Sequence, residues 1–165
     1  MDNFHFTPAK SARAEIPLPH IEEARADFAP YYATGISLVN AQAAVTAELG
    51  KLGATAPFFD EGVFEDGTLR RLGYVITFQY GGARGRLLAV GLPMKFKETE
   101  AKRKQVLVQA LLNIRDQLKA EVTSRVFNLR SDPLLQYLLV NDTQTVAETM
   151  HEKGVLPALE SRNAR

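Results

Sequence analysis

Two stretches in the middle of the chain alternate between apolar and polar residues, a pattern that is typical of β-strands. The second stretch runs from Arg86 to about Leu92, and Pro93 ends it. Glycines in the intervening segment 81–85 permit positive φ angles and predict a turn, so the two stretches form an antiparallel hairpin. The apolar positions of the first strand are Leu72, Tyr74, Ile76, Phe78 and Tyr80. The apolar face of the second is predicted to carry Leu88, Val90 and Leu92.

Apolar residues spaced three and four positions apart predict a helix on each side of this hairpin. The first helix runs from about Leu38 to Leu52, where Ser37 can cap its start and Gly53 can end it. The second runs from about residue 99 to residue 129, with Thr99 as its N-cap. Its apolar stripe consists of Leu107, Ala110, Leu111, Ile114, Leu118 and Val122.

Two short helices are predicted after the long one. Asp132-Pro133 has the chemistry of an N-cap followed by proline at the first helical position, which predicts an apolar helix over 134–139. Asn141-Asp142 predicts a turn. Thr145 and Glu148 have the spacing of a capping box, so a last helix is expected over about 146–152.

The remaining segments are predicted to be irregular. Residues 57–67 are expected to form a loop, with a short strand around Val63 as an option. Residues 1–35 are rich in proline and predict an N-terminal arm that either lies along the surface or docks on another subunit. A short helix over 20–28 is compatible with this sequence. The apolar anchors available to a docking arm are Phe4, Phe6, Ile16, Leu18, Ile21 and Phe28.

These elements predict a single α+β domain over residues 36–160. The expected architecture is a helix, an antiparallel β-hairpin or three-stranded sheet, a long helix packed on the sheet, and short C-terminal helices. A two-stranded hairpin is only marginally stable alone, so we expect a third strand, a covering helix or another subunit. Association of two copies through a hairpin edge is therefore a serious alternative. The second strand face is also fairly apolar. That face is predicted to carry Val75, Thr77, Leu87 and Ala89.

Charge is distributed unevenly along the chain, although the net charge is only +1. Residues 1–69 carry −6, residues 70–104 carry +7, and residues 105–165 are neutral. A segregated positive block is typical of a protein that binds a phosphate-bearing partner, and ordinary surface charge is the alternative. Nine residues form this basic block: Arg70, Arg71, Arg84, Arg86, Lys95, Lys97, Lys102, Arg103 and Lys104.

The predicted hairpin divides the basic block into two subsites. Arg84 and Arg86 flank the hairpin turn, whereas the other members gather at the open end of the hairpin and at the start of the long helix. A surface of this kind binds phosphates in a salt-sensitive way that is mainly independent of sequence.

Aromatic side chains on the first strand offer a second mode of contact with nucleic acid. Tyr74, Phe78 and Tyr80 share one strand face and could stack on bases, as in sheet-based binders of single strands. The same face carries Leu72 and Ile76, which favours a position in the core.

Composition excludes several classes of protein. At 165 residues and 45% hydrophobic content, the chain fits one globular domain. The absence of cysteine excludes disulfides, thiolate metal sites and cysteine nucleophiles, and it favours a cytoplasmic location. No apolar run approaches the roughly 20 residues of a membrane span, and the N-terminus lacks the features of a secretory signal.

Motifs for catalysis or cofactor binding are not recognisable. The three histidines, His5, His20 and His151, are far apart in the sequence and have no zinc-protease spacing. The glycine-rich segment 81–85 lies between strands, whereas a phosphate-binding loop must lead into a helix. No catalytic residue, metal or cofactor is assigned, and an enzyme is the least favoured class. A solvated loop is preferred to a cation site for the acidic cluster of Asp60, Glu61, Glu65 and Asp66.

The segment that reads Asp-Thr-Gln-Thr-Val-Ala-Glu over 142–148 resembles a signature of a diffuse family of small uncharacterised phage and mobile-element proteins. That signature reads approximately Asp-Gly-Arg/Gln-Thr-Val-Gly-Glu, so Thr143 and Ala147 stand where the family has glycine. The order of helix, acidic loop, glycine-turned hairpin and basic helix start extends the resemblance over about residues 36–150. It implies a mobile-element or DNA-metabolism context and assigns no site residue.

We therefore expect a non-enzymatic nucleic-acid-binding accessory protein of a phage or mobile element, which grips the phosphate backbone through the basic block. DNA is favoured, and single-stranded DNA is an open option. The protein is expected to work as a homo-oligomer or within a larger assembly, without a membrane partner. The alternative is a protein-interaction module, an assembly subunit or an inhibitor of a host complex, that uses the N-terminal arm and the outer strand face.

Overall fold

The computed structural model describes residues 18–25, 29–66, 68–127 and 132–153. Within these residues the chain forms three helices and one antiparallel sheet, which confirms the predicted α+β class. One-turn 3₁₀ helices at Ile21–Glu23 and Leu135–Tyr137 flank the main elements. Those elements are α1 (Leu38–Lys51), β1 (Thr55–Asp66), β2 (Leu69–Tyr80), β3 (Ala83–Val90), α2 (Glu100–Phe127) and α3 (Val146–Glu152).

The helix starts follow the predicted capping chemistry. Ser37 Oγ accepts a hydrogen bond from the Asn40 N–H at 3.2 Å at the start of α1. Thr99 Oγ1 accepts from the Lys102 N–H at 3.3 Å before α2. The capping box of α3 is complete, because Thr145 and Glu148 each accept from the other's backbone N–H.

The sheet has three strands in the order β1-β2-β3, so the prediction of a loop over 57–67 was wrong. β1 is a twelve-residue strand that pairs with β2 from Thr55 to Asp66. Its sequence hides this because Phe58 and Phe59 are adjacent and charged residues follow them on both faces. As an edge strand, β1 can place charged residues on both faces, and the alternation that marks a half-buried strand is lost.

The register of the hairpin reverses the predicted faces of β3. Gly81 and Gly82 alone form the turn, with φ angles of 55° and 81°, which only glycine adopts readily. Ile76 therefore pairs with Leu87, which is buried, while Leu88 is 41% exposed. The sequence alone predicts a turn of five residues over 81–85. A strand whose pairing shifts by one residue places each of its side chains on the opposite face of the sheet. The outward side chains of β3 are Arg84, Arg86, Leu88 and Val90, whereas Leu87 and Ala89 face the core.

The core lies between the sheet and the two long helices, which cover the same face of it. α2 contacts α1 on one side and β2 and β3 on the other. Residues 106–112 of α2 are consequently all buried, including Gln109, whose Nε2 donates to the Pro30 carbonyl at 3.0 Å. Of this stretch, the predicted apolar stripe includes only Leu107, Ala110 and Leu111, so it covers too small a part of the buried surface of α2. The largest fully buried side chains include Phe78, Leu49, Leu52, Leu72, Ile76, Leu111 and Leu112.

The described part of the predicted arm packs against the domain. Ile21 is buried, and its N–H donates to the Pro93 carbonyl at 2.9 Å. Of the predicted helix over 20–28, the structure describes one turn of 3₁₀ helix at 21–23. The other proposed anchors, Phe4, Phe6, Ile16 and Phe28, lie outside the described residues, and Leu18 is 45% exposed.

Residues 138–145 form a short extension of the sheet next to β3. Leu138 bridges to Gly85 in antiparallel fashion, and the Leu139 N–H donates to the Arg84 carbonyl at 2.8 Å. Asn141 Oδ1 accepts from the Thr143 N–H, which makes the predicted turn. No helix in the described part of the chain is both long and apolar enough to span a bilayer.

Candidate functional site

The structure places most of the basic block in contacts within the chain. Five of the nine residues form ion pairs with carboxylates, and Arg71 Nε donates to the Gly91 carbonyl at 2.8 Å. Burial lowers the pKa of Arg71 from its ordinary value. The five residues with carboxylate partners are Arg70, Arg86, Lys95, Lys102 and Arg103.

One cluster of ion pairs connects the sheet to the start of α2. Glu98 accepts from Arg70 at 3.0 Å and from Arg103 at 2.9 Å. Arg103 also donates to Glu61 of β1. The bonds from Arg103 and Arg70 lower the pKa of Glu98, and the bond to Glu98 contributes most to the raised pKa of Arg103.

A second cluster is built around Glu22 of the N-terminal arm. Its carboxylate accepts from Lys102 Nζ at 2.7 Å, from the Lys95 N–H at 3.0 Å and from the Phe96 N–H at 3.3 Å. Burial alone would raise the pKa of Glu22, but these bonds outweigh it and lower the pKa to about 2. The neighbouring Glu23 pairs with Lys95 Nζ at 2.6 Å.

A third contact joins β3 to α3. Arg86 donates to both carboxylate oxygens of Glu148, at 2.7 and 2.8 Å. The Thr145 N–H donates to the same carboxylate at 2.7 Å. The pKa of Glu148 is lowered, first by this backbone bond, then by the bond from the Thr145 hydroxyl and by Arg86.

Three members of the basic block, Arg84, Lys97 and Lys104, have no ion-pair partner among the described residues. Glu22, Glu23 and Glu61, which neutralise much of the block, belong to the acidic first part of the chain. The opposite charges that the sequence separates are thus brought together by the fold. Nucleic-acid binding by this block stays a prediction, and it depends on fewer cations than the sequence indicates.

The strand aromatics lie in the core, as their shared face with Leu72 and Ile76 predicted. Tyr74 and Phe78 are each only 2% exposed, so neither can stack on a base. Burial, together with the nearby Glu61 that accepts from Tyr74 Oη at 3.1 Å, raises the pKa of Tyr74 to about 12. Tyr80 is half-buried, and its hydroxyl donates to Asp132 at 3.3 Å.

The face of the sheet opposite the helices, which we call the outer face, carries exposed apolar side chains alongside charged ones. Phe58 on β1 is 64% exposed and Leu88 on β3 is 41% exposed. Two charged side chains on this face, Asp60 and Arg84, have no ion-pair partner among the described residues. The half-buried members of the outer face include Phe64, Val75, Thr77 and Val90.

Sequence reasoning found only part of the outer face. Val75 and Thr77 were assigned to it correctly, but the contributions of β1 were missed because this segment was predicted to be a loop. The available signal was the even spacing of Phe58, Asp60 and Phe64, which share one side of the strand.

The acidic residues of β1 do not converge. Asp60 points to the outer face, whereas Glu61 points to the helices and pairs with Arg103. Within the described ranges, no three histidine or acidic side chains come close enough together to hold a metal ion.

Comparisons of this chain with protein-family models, with curated proteins and with solved structures found no match. We therefore infer the function from the contacts, burial and charges of the described residues.

Proposed function

We propose that this protein is a protein-interaction module that works as an assembly subunit and associates with a second copy through the outer face. The observation that carries the proposal is the exposed apolar surface centred on Phe58 and Leu88. An antiparallel sheet with one covered face ordinarily carries polar side chains on the other, whereas this sheet combines its charged side chains with exposed aromatic and branched ones.

Two features of the outer face favour a second copy as the partner. Stacked sheets pack their apolar side chains against each other, and the exposed apolar residues of the outer face suit this arrangement. In addition, a two-fold axis parallel to the strands lays β1 of one copy over β3 of the other. That arrangement places Asp60, which has no ion-pair partner among the described residues, over β3 at the level of Leu88, with Arg86 as the next outward side chain along the strand.

The test is the oligomeric state of the purified protein, of two variants and of a control variant, measured by light scattering over a range of concentrations. We expect the native chain to form a dimer. Phe58→Asp and Leu88→Asp should each weaken the dimer by about tenfold or more, since each buries a charge in an apolar contact. Val39→Asp is the matched control, because Val39 is 72% exposed on α1, outside the outer face. A native chain that stays monomeric, or dimers unaffected by both variants, would contradict the proposal.

Nucleic-acid binding is the second candidate, and the positions of Lys97 and Lys104 favour it. Both are exposed, both lack an ion-pair partner among the described residues, and both lie near the start of α2. Duplex DNA, single-stranded DNA and RNA are the probes, with fluorescence anisotropy measured across a salt series.

If this second candidate is right, Lys97→Glu/Lys104→Glu should weaken binding to all three probes and flatten the salt dependence. The slope of log K against log salt is expected to fall by about one for each phosphate that the variant no longer neutralises. Arg84→Glu is the control, because Arg84 lies at the other end of the sheet and has no ion-pair partner among the described residues. This variant measures how much binding is lost when one such cation is reversed elsewhere on the protein. Absence of binding at low salt would remove this candidate.

The proposed setting is the cytoplasm of a cell that carries a phage or mobile element. The absence of cysteine supports a reducing compartment. The mobile-element context is supported by the resemblance of the 142–148 segment and assigns no partner.

A further inference from the structure

A groove of about 250 Å³ lies beside β3, where α2, the 3₁₀ helix 135–137 and the start of α3 meet it. Leu88 and Ala147 in its lining are exposed, so the groove is open to solvent. Its volume is below the roughly 300 Å³ at which pockets for drug-sized molecules begin, which limits a ligand to about the size of a single ring. The apolar lining consists of Leu87, Leu88, Ile114 and Ala147.

A side chain in the wall of this groove has a hydrogen-bond donor to spare. Arg86 lines the groove, and its Nε is buried without a hydrogen-bond partner among the described residues. Its Nη2 is already used, because it donates to both carboxylate oxygens of Glu148 at 2.7 and 2.8 Å. Buried N–H groups in proteins are nearly always paired, so this Nε–H favours a ligand that brings an acceptor oxygen.

The charges around the groove indicate which acceptor fits. Glu148 also lines the groove, and its carboxylate already balances the guanidinium charge of Arg86. The lowered pKa of Glu148 keeps this carboxylate ionised at neutral pH. A carboxylate on the ligand would meet a second negative charge at short range, whereas a carbonyl oxygen accepts the same hydrogen bond without adding charge. The groove therefore favours a neutral ligand.

Two glutamine amides narrow the class of ligand further. Gln117 of α2 and Gln136 of the 3₁₀ helix line the groove, and neither side-chain amide makes a hydrogen bond to a described residue. A glutamine amide presents a donor and an acceptor side by side. A ring amide matches this pair because its N–H and C=O are cis, whereas the trans amide of a peptide points them in opposite directions.

We propose that the groove binds a small neutral molecule with a ring amide, whose carbonyl oxygen accepts from Arg86 Nε. The remaining edge of the ring pairs with a glutamine amide, and the ring covers the exposed apolar surface of Leu88 and Ala147. This site does not require a second copy of the chain, because the glutamines and Ala147 lie outside the outer face.

The experiment follows the Arg86 Nε–H signal and the glutamine side-chain amide signals by NMR while uracil, a neutral ring amide, is added to the full chain. We expect the Nε–H signal to shift with a dissociation constant of about 1 mM, which is ordinary for a ligand of this size. Orotate, the same ring with an added carboxylate, should bind at least about tenfold more weakly because of Glu148. N-methylacetamide, a trans amide, should leave the Nε–H signal unchanged.

Three variants test the roles of the named side chains. Arg86→Lys keeps a cation opposite Glu148 but removes the Nε–H, so it should weaken uracil binding by about tenfold or more. Gln117→Leu should weaken it several-fold. Asn113→Leu is the matched control for Gln117→Leu, because Asn113 carries an exposed amide on α2 and does not line the groove.

The titration of the native chain decides the question even if Arg86→Lys fails to fold. An Nε–H signal that does not move at about tenfold above the expected dissociation constant would overturn the proposal. Orotate or N-methylacetamide that binds as tightly as uracil would overturn the assigned class of ligand. Equal weakening by Asn113→Leu and Gln117→Leu would show that uracil binds elsewhere.

Discussion

Replacing Gly73 with alanine is expected to lower the free energy of unfolding by about 2 to 3 kcal/mol, the cost of forcing a side chain into a closely packed position. A Cβ at Gly73 would lie 2.1 Å from the Ala89 carbonyl oxygen and 2.9 Å from the Phe64 ring. The carbonyl belongs to the backbone of β3, and Ala89 is held in register opposite Tyr74. The strands must therefore separate locally, because the closest atom belongs to the backbone and not to a flexible side chain.

The matched control for this substitution is Gly62→Ala. Gly62 is the cross-strand partner of Gly73 on β1, and a Cβ there would meet nothing within 4 Å. Alanine at this position should leave stability unchanged or raise it by a few tenths of a kcal/mol, since glycine is unfavourable inside a strand. Urea unfolding of the two variants and the native chain measures the difference. Equal losses at both positions would show that the close approach of β2 and β3 is not as described.

Acid is expected to weaken the attachment of the N-terminal arm through Glu22. Its pKa is about 2 in the folded chain and is about 4.5 for an unperturbed glutamate. A lowered folded-state pKa means that the contribution to stability is complete above about pH 4.5 and is lost as the pH falls toward 2. Replacing Glu22 with glutamine should therefore cost stability at neutral pH and make no difference near pH 2.

The size of this effect follows from the pKa difference, reduced because solvent screens a partly exposed ion pair. Full linkage would give about 3 kcal/mol, but Lys102, the cation paired with Glu22, is 29% exposed, so we expect about 1 to 2 kcal/mol at pH 7. Glu100→Gln is the control, because Glu100 is an exposed glutamate in the first turn of α2 without an ion-pair partner among the described residues. Unfolding curves from pH 7 to pH 2 provide the measurement. A constant difference between Glu22→Gln and the native chain over that range would refute the assignment.

Sequence patterns predicted the elements that depend only on residues close together in the chain. Ser37 and the Thr145–Glu148 capping box fixed the starts of α1 and α3, and the alternation from Leu72 to Tyr80 fixed β2. The same logic failed for β1, since an edge strand carries charge on both faces and loses the alternation. It failed again for the faces of β3, where the sequence offers five permissive turn positions and the fold uses two glycines.

Ion pairing between distant segments could not be read from the sequence. Glu22 meets Lys102 across 80 positions, and Arg86 meets Glu148 across 62. The summed charges show a negative first part and a positive middle part of the chain. Only the packing of the arm on α2 shows that these charges neutralise each other. The same limitation hid the outer face, because its members come from three strands, one of which was predicted to be a loop.

The position of Glu22 and Glu23 makes the N-terminal arm an electrostatic cover for the helix start. A chain shortened beyond Glu23 loses the carboxylates that hold Lys95 and Lys102, and it gains a cationic patch that the intact protein does not display. An affinity for polyanions measured on such a shortened chain would therefore belong to the newly exposed lysines and not to the intact protein. Proteolytic removal of the arm would, by the same reasoning, convert a neutralised surface into one that attracts phosphate.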